Sequence, residues 1–167
     1  DRLPCMVANP QPELARPSYE LSALGLSGFA GYIAVNELLQ VKPGETLAFG
    51  AALGGVGQIA GQIGKLRGAR VEAISGGAEK CRYAEEQLGF DVCLDRKAPD
   101  FSVRLEAEFS KSGVDCIVMA VGPGGLQAAM PHFRNYSRIA VCGLIGSYSS
   151  ASSSDGRGQD WGTLVQE

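Results

Sequence analysis

Apolar residues in this chain come in short unbroken runs separated by amphipathic stretches, and the two alternate. Thr46–Ala52 is a mostly apolar run of strand length, as expected for a strand covered on both faces. Val56, Ile59, Ala60, Ile63 and Leu66 then recur at helical spacing, which predicts a helix turning that face to the sheet. A second strand is predicted over Arg70–Ser75, then a helix over Ala78–Leu88 with Cys81, Ala84 and Leu88 inward. A third strand over Asp91–Asp95, a helix over Phe101–Phe109 carrying Val103, Leu105 and Phe109, and a fourth strand over Val114–Val121 follow. A short helix, Leu126–Phe133, leads to a fifth strand, Arg138–Ile145. Upstream, Leu21–Leu39 reads as two helical pieces with Gly25, Gly28 and Gly31. Right-handed crossovers turn this alternation into an α/β fold of Rossmann type. The expected architecture is a doubly wound parallel sheet in three α/β/α layers, order 3-2-1-4-5, with no sixth strand evident.

In such sheets ligands bind at the carboxyl ends of the strands beside the switch in strand order. Gly54–Gly57, Val121, Gly122 and Gly143–Ile145 gather there. The turn after the first strand contains Gly54, Gly55, Val56 and Gly57 in the spacing Ala51-x-x-Gly54-x-x-Gly57, which departs from the usual GxGxxG. Side chains at Gly54 or Gly55 would hinder approach to a phosphate, and one at Gly57 would push the helix off the strand. The unpaired N–H groups opening that helix, with its dipole, favour an anion. Gly61, Gly64 and Gly68 weaken the helix intrinsically, so packing must hold it.

The end of the second strand distinguishes dinucleotides. A site for NAD places Asp or Glu there to accept from the ribose 2′-hydroxyl. Here the chain reads Ser75-Gly76-Gly77-Ala78-Glu79-Lys80, and Arg96 follows the third strand. Small residues backed by Lys80 and Arg96 suit a 2′-phosphate, so NADP is expected; the alternative is that both cations are ordinary solvated charges.

Composition narrows the class further. With 167 residues, 45% hydrophobic and 20% charged, the chain can bury one core. A net charge of -3 gives no reason to expect nucleic acid. No apolar run approaches the ~20 residues of a membrane span, and no signal peptide opens the chain. Five cysteines, Cys5, Cys81, Cys93, Cys116 and Cys142, form no CxxC pair, and read as reduced core thiols of a cytoplasmic protein. One histidine and no ligand cluster leave no expected metal site. Residues 1–20, rich in proline, are expected to be a linker, 21–146 the nucleotide-binding domain, and 147–167 a Ser/Gly-rich loop and tail.

Four segments, LSALGLSGFAGYIAVNELLQVKPGE, GGVGQIAGQIGKLRG, SGGAEKCRYAEEQLGFDVCLD and RIAVCGLIGSY, together resemble the medium-chain dehydrogenase/reductase superfamily. Within it they are most similar to the zinc-independent, NADPH-dependent alkenal/one oxidoreductases, the prostaglandin reductase group. The resemblance implies an NADPH-binding Rossmann lobe that serves hydride transfer to the C=C bond of an α,β-unsaturated ketone or aldehyde. By position it implies pyrophosphate at Gly54–Gly57, the 2′-phosphate on Lys80, and a turn at Gly122. It also implies nicotinamide contacts from Cys142, Gly143, Leu144 and Ile145, and a substrate-side catalytic tyrosine at Tyr148. The chain departs from the family pattern at Arg96, where a tyrosine is usual, and at Ala30, Ala120 and Ser149, where polar residues are usual. A GroES-like lobe is expected to be missing, leaving this chain inactive or weak by itself. Three alternatives stay open: a non-catalytic NADP-binding or interaction module, a quinone reductase, and the enoyl-reductase domain of a synthase. A homodimer is a further open expectation.

Overall fold

A computed structural model describes residues 21–122 and 124–143 of the chain. After a turn over residues 22–25, helix α1 (Leu26–Ile33) passes directly into a π-helical turn, Ala34–Leu38. Then follow β1 (Thr46–Gly50), α2 (Gly55–Leu66), β2 (Arg70–Ser75), α3 (Ala78–Glu86), β3 (Val92–Asp95) and α4 (Phe101–Ser112). β4 (Val114–Met119), α5 (Gly124–Ala129), a 3-10 turn over Met130–His132 and β5 (Phe133–Val141) complete the described chain. The five strands form one sheet in the order β3-β2-β1-β4-β5, with every pairing parallel. The expected strand order is therefore the observed one. The linker over 1–20 and the tail over 147–167 lie outside the described residues.

Alternation along β1 builds two cores. Leu47 and Phe49 face a cluster with Ala60, Val71, Ala73, Ala84 and Phe90 under α1, α2 and α3. Ala48 faces the other side with Leu94, Leu105, Phe109, Ile117 and Leu126 under α4 and α5. Both faces of the sheet are thus covered, which is why its strands read as apolar runs.

Four elements differ from expectation. Of the expected inward face of α2, Ala60 is in the core and Val56 and Ile63 pack against it, but the fully buried positions also include Gly57, Gly61 and Gly64, whereas Leu66 is 87% exposed. A Cβ at Gly61 would overlap the Phe90 ring and lie 2.7 Å from Cζ of Phe49, and one at Gly64 would lie 2.6 Å from Cδ2 of Leu47. Large strand side chains fill the space, so the helix must be smooth. Strand β5 starts at Phe133, where the short helix was expected to end, and its register against β4 is broken. Val114 pairs with Phe133 and Cys116 with Arg138, and Tyr136 takes a positive φ of 66° between them. Finally, β1 stops at Gly50, short of the expected Ala52, because Ala51 turns into the left-handed region at φ 54°, and β4 stops at Met119, short of the expected Val121.

Glu72, in the middle of β2, is fully buried. Its Oε1 accepts from Arg70 Nε at 2.6 Å, but Oε2 has no hydrogen-bond partner among the described residues. Burial therefore dominates and raises its pKa above the ordinary carboxylate range, against the pull of Arg70.

Two outcomes follow for stability. Gly61→Ala should lower the unfolding free energy in urea by ~1–3 kcal/mol through overpacking, although alanine is the better helix former by ~1 kcal/mol. Leu66→Ala, on the exposed face, should stay within ~0.5 kcal/mol. For Glu72 the folded pKa is raised, so its contribution is most favourable below the unfolded value and is lost as pH rises through the folded one. Glu72→Gln should therefore gain melting temperature relative to the parent as pH rises from about 5 to about 8, a trend read by thermal unfolding.

Candidate functional site

The switch point lies between β1 and β4, which pair with each other while their crossover helices leave on opposite faces. There the chain leaves β1 through Ala51 and turns back, the Gly54 amide donating to the Ala51 carbonyl at 2.8 Å. Gly54 is the cap of α2, and among the described residues no side-chain hydrogen bond caps the helix's first N–H groups. Those donors and the helix dipole point at the mouth of the turn. Gln58 secures the turn by donating from Nε2 to the Leu53 carbonyl at 2.9 Å.

The glycines of this turn serve different neighbours. A Cβ on Gly57 would collide with the Ala51 carbonyl and lie 3.0 Å from that of Ala52, so this glycine brings the helix against the strand. A Cβ on Gly55 would lie 2.6 Å from Oγ of Ser27, so α1 closes over the start of α2. Gly31 extends that contact, since its Cβ would lie 3.1 Å from the Ala60 amide nitrogen. Gly54 alone of the three borders the cleft.

The cleft has a volume of about 770 Å³, within the range of ligand sites. At one end stand Ser75, Gly76, Lys80, Arg96 and Lys97. Serine, not an acid, ends β2, and Glu79 lies exposed in the first turn of α3. Arg96 lies over Gly76, whose Cβ would be 3.2 Å from the arginine Nε. Lys80, Arg96 and Lys97 are exposed, and none makes an ion pair among the described residues. Asp95 Oδ1 accepts from the amides of Gly77 at 2.7 Å and Lys97 at 2.9 Å. These bonds hold the Asp95 carboxyl below its ordinary pKa.

The opposite wall comes from the end of β4, Met119 to Gly122, with Leu126 of α5 behind it. The amides of Cys142 and Gly143 both donate to the Met119 carbonyl, at 2.8 and 3.2 Å. A Cβ on Gly143 would lie 2.8 Å from the Ala120 carbonyl oxygen, so the chain after β5 lies against this wall.

Of the residues expected at the site, Gly54, Ser75, Gly76, Lys80, Arg96, Val121 and Gly122 line this one cleft. Gly55, Val56 and Gly57 form the helix start beneath it, and Cys142 and Gly143 lie behind its β4 wall. Leu144, Ile145, Tyr148 and Ser149 lie outside the described residues. Sequence reasoning missed Gly50, Leu53, Ile74, Lys97 and Phe101, which also line the cleft. Their signal was positional: each sits at or just beyond a strand's carboxyl end, or at the start of the next helix.

The thiols of Cys81, Cys93 and Cys142 are pushed up in pKa by burial, and that of Cys116 to about 12. None is a thiolate at neutral pH. His132 is engaged away from the cleft lining, with Nε2 3.1 Å from Glu106 and Nδ1 3.4 Å from Ser110. Among the described residues no group of three or more His, Cys, Asp or Glu is placed to hold a metal ion. Among them, too, no helix is long and apolar enough to cross a membrane. The described residues of the site offer anion-binding backbone, cations without ion-pair partners among those residues and apolar walls, a set suited to holding an anionic ligand.

Residues 55–157 match the family model described as "Zinc-binding dehydrogenase". The chain is 48% identical over 134 residues to the NADPH-dependent curcumin reductase of Escherichia coli strain K12, covering 80% of this chain and 39% of that protein. It is 36% identical over 133 residues to an NADP(+)-dependent 2-alkenal reductase of Nicotiana tabacum, covering 79% of this chain and 38% of that one. The crystal structure of CurA from Vibrio vulnificus in complex with NADPH superposes with a TM-score of 0.81 at 42% identity. That match covers 93% of this chain and 45% of the CurA chain. The described chain thus spans less than half the length of these relatives.

Proposed function

The chain belongs to the zinc-binding dehydrogenase family, in the zinc-independent, NADPH-dependent group of the medium-chain dehydrogenase/reductase superfamily, and from that premise we propose that it is the NADPH-binding lobe of an enone or enal reductase. The observation that carries the cofactor is the end of β2. It presents Ser75 and Gly76 in place of an acid, beneath three cations without ion-pair partners among the described residues. A 2′-phosphate fits that cradle, whereas a free 2′-hydroxyl finds no carboxylate to accept its proton at the end of β2.

In this reading the opening turn of α2, Gly54 to Gly57, receives the pyrophosphate on its N–H groups. Lys80 and Arg96 hold the 2′-phosphate, Arg96 giving charge-assisted hydrogen bonds. Val121, Gly122, Cys142, Gly143, Leu144 and Ile145 flank the nicotinamide half. Tyr148 is assigned to the substrate carbonyl, where a donor stabilises charge developing on oxygen. Bound here, NADPH supplies hydride; the protein's part is to bind, orient and exclude water. The substrate class proposed is an α,β-unsaturated ketone or aldehyde, with a cytoplasmic setting and a homodimer part of the same proposal. A second reading, a cofactor-binding module without turnover, draws on Ala120, an apolar residue in the cleft wall. Steady enone-dependent oxidation of NADPH by the chain would exclude it.

Calorimetric titration tests the cofactor assignment. NADPH should bind more tightly than NADH. Replacing Lys80 and Arg96 together by alanine should remove most of that preference, at ~1.5–3 kcal/mol per lost charged contact. Equal affinities for the two dinucleotides in the parent chain would sink the reading.

A further inference from the structure

Asp95 directly precedes Arg96 and Lys97 in the chain, an unfavourable neighbour for a phosphate unless its carboxylate has other work. Its hydrogen bonds show what that work is. One oxygen, Oδ1, accepts the Gly77 amide at 2.7 Å and the Lys97 amide at 2.9 Å. Gly77 is in turn the residue on which α3 starts: its carbonyl accepts from the amides of Lys80 at 3.1 Å and Cys81 at 3.2 Å. The bond from Asp95 therefore reaches the backbone of Lys80 through one residue. On the other side, Arg96 lies between Asp95 and Lys97, and its amide donates to the Ser75 carbonyl at 2.9 Å. The turn after β2 and the turn after β3 are thus joined by two hydrogen bonds, Gly77 to Asp95 and Arg96 to Ser75, and the same Asp95 oxygen also ties down the Lys97 amide within its own turn.

We infer that Asp95 is a positioning residue for the 2′-phosphate subsite, holding the Lys80-bearing and Arg96/Lys97-bearing turns at a fixed separation. This rests on the NADP reading above. The geometry is demanding because the two cation-bearing turns come from different strands, β2 and β3. Gly77 sits at φ 114°, a conformation open to glycine and rarely to other residues, and the carboxylate holds its N–H in place. Without that bond the turn has the freedom of two adjacent glycines, and the cations lose their common focus.

Positioning and plain electrostatics predict opposite signs. If Asp95 acted on the phosphate only through its charge, removing it would tighten binding of a phosphorylated ribose. If it positions, removal loosens that binding. Titration of 2′,5′-ADP and 5′-AMP into the full chain separates the two, since these probes share adenosine and differ at the 2′ position. In Asp95→Ala the preference for 2′,5′-ADP should fall about tenfold, the size of one charged contact, with 5′-AMP affinity changed less than about twofold. Asp95→Asn keeps a carbonyl acceptor and should retain the preference. Asp95→Glu keeps the charge but displaces it by a methylene and should lose preference; this arm decides the matter if the alanine variant does not fold. An unchanged or increased preference in Asp95→Ala, or parental behaviour in Asp95→Glu, overturns the inference while the NADP reading stands. No preference for 2′,5′-ADP in the parent chain overturns both.

Discussion

The approach of α2 to the sheet decides where everything else in this molecule can be. Phe49, Phe90 and Leu47 project from under the helix, and only a face of glycine and alanine lets the helix settle on them. Gly57 brings the first turn against the carbonyls of Ala51 and Ala52. The free N–H groups of that turn consequently open at the carboxyl end of β1, beside the switch in strand order. A bulkier helix would stand off the sheet, and its dipole would point past the crevice. The same economy extends to α1, where Gly31 allows a second helix to cross α2 closely. Close packing here is the means by which backbone donors become a ligand site.

Much of this was legible in the sequence because parallel strands buried on both faces announce themselves as apolar runs. The bounds of β2 and the order of all five strands follow from that signal and from the handedness of crossovers. The face of α2 did not. Periodicity assigns the inward face to large apolar side chains, which holds for Val56 and Ile63 at its margin but also selects Leu66, which is exposed. The packing instead selects small residues, because the volume is supplied by the strands. Strand β5 failed for a related reason. Its segment FRNYSRIAV carries polar residues along an edge, and its early half is irregular around Tyr136, so it has no unbroken apolar run until Ile139.

The candidate site was legible where it depends on residue type and illegible where it depends on distance. Absence of an acid after β2, with Lys80 and Arg96 nearby, is visible in the letters. That Lys97 joins them, and that Asp95 turns its carboxylate onto backbone amides, is tertiary information. Asp95 is an acid ending a strand, and at the end of the second strand such an acid would mark a ribose-binding carboxylate. It ends β3 rather than β2, and its oxygen is committed to Gly77 and Lys97. The same letter thus has opposite implications at neighbouring strands.

Charge is distributed along the sheet in a way that the net value conceals. Where the strands begin, acids meet bases: Glu45 with Arg138 at 2.5 Å, Asp91 with Lys65 at 2.8 Å, and Asp115 with Arg134 at 3.5 Å. Where they end, Lys80, Arg96 and Lys97 have no ion-pair partner among the described residues. A formal charge of -3 would argue against a polyanionic ligand if the field of the whole chain mattered. At physiological ionic strength that field is screened within about 8 Å, so a bound phosphate senses the local cations. Pairing at one edge therefore does more than brace the fold: it neutralises charge far from the cleft and leaves the unpaired cations at its mouth to act on the ligand.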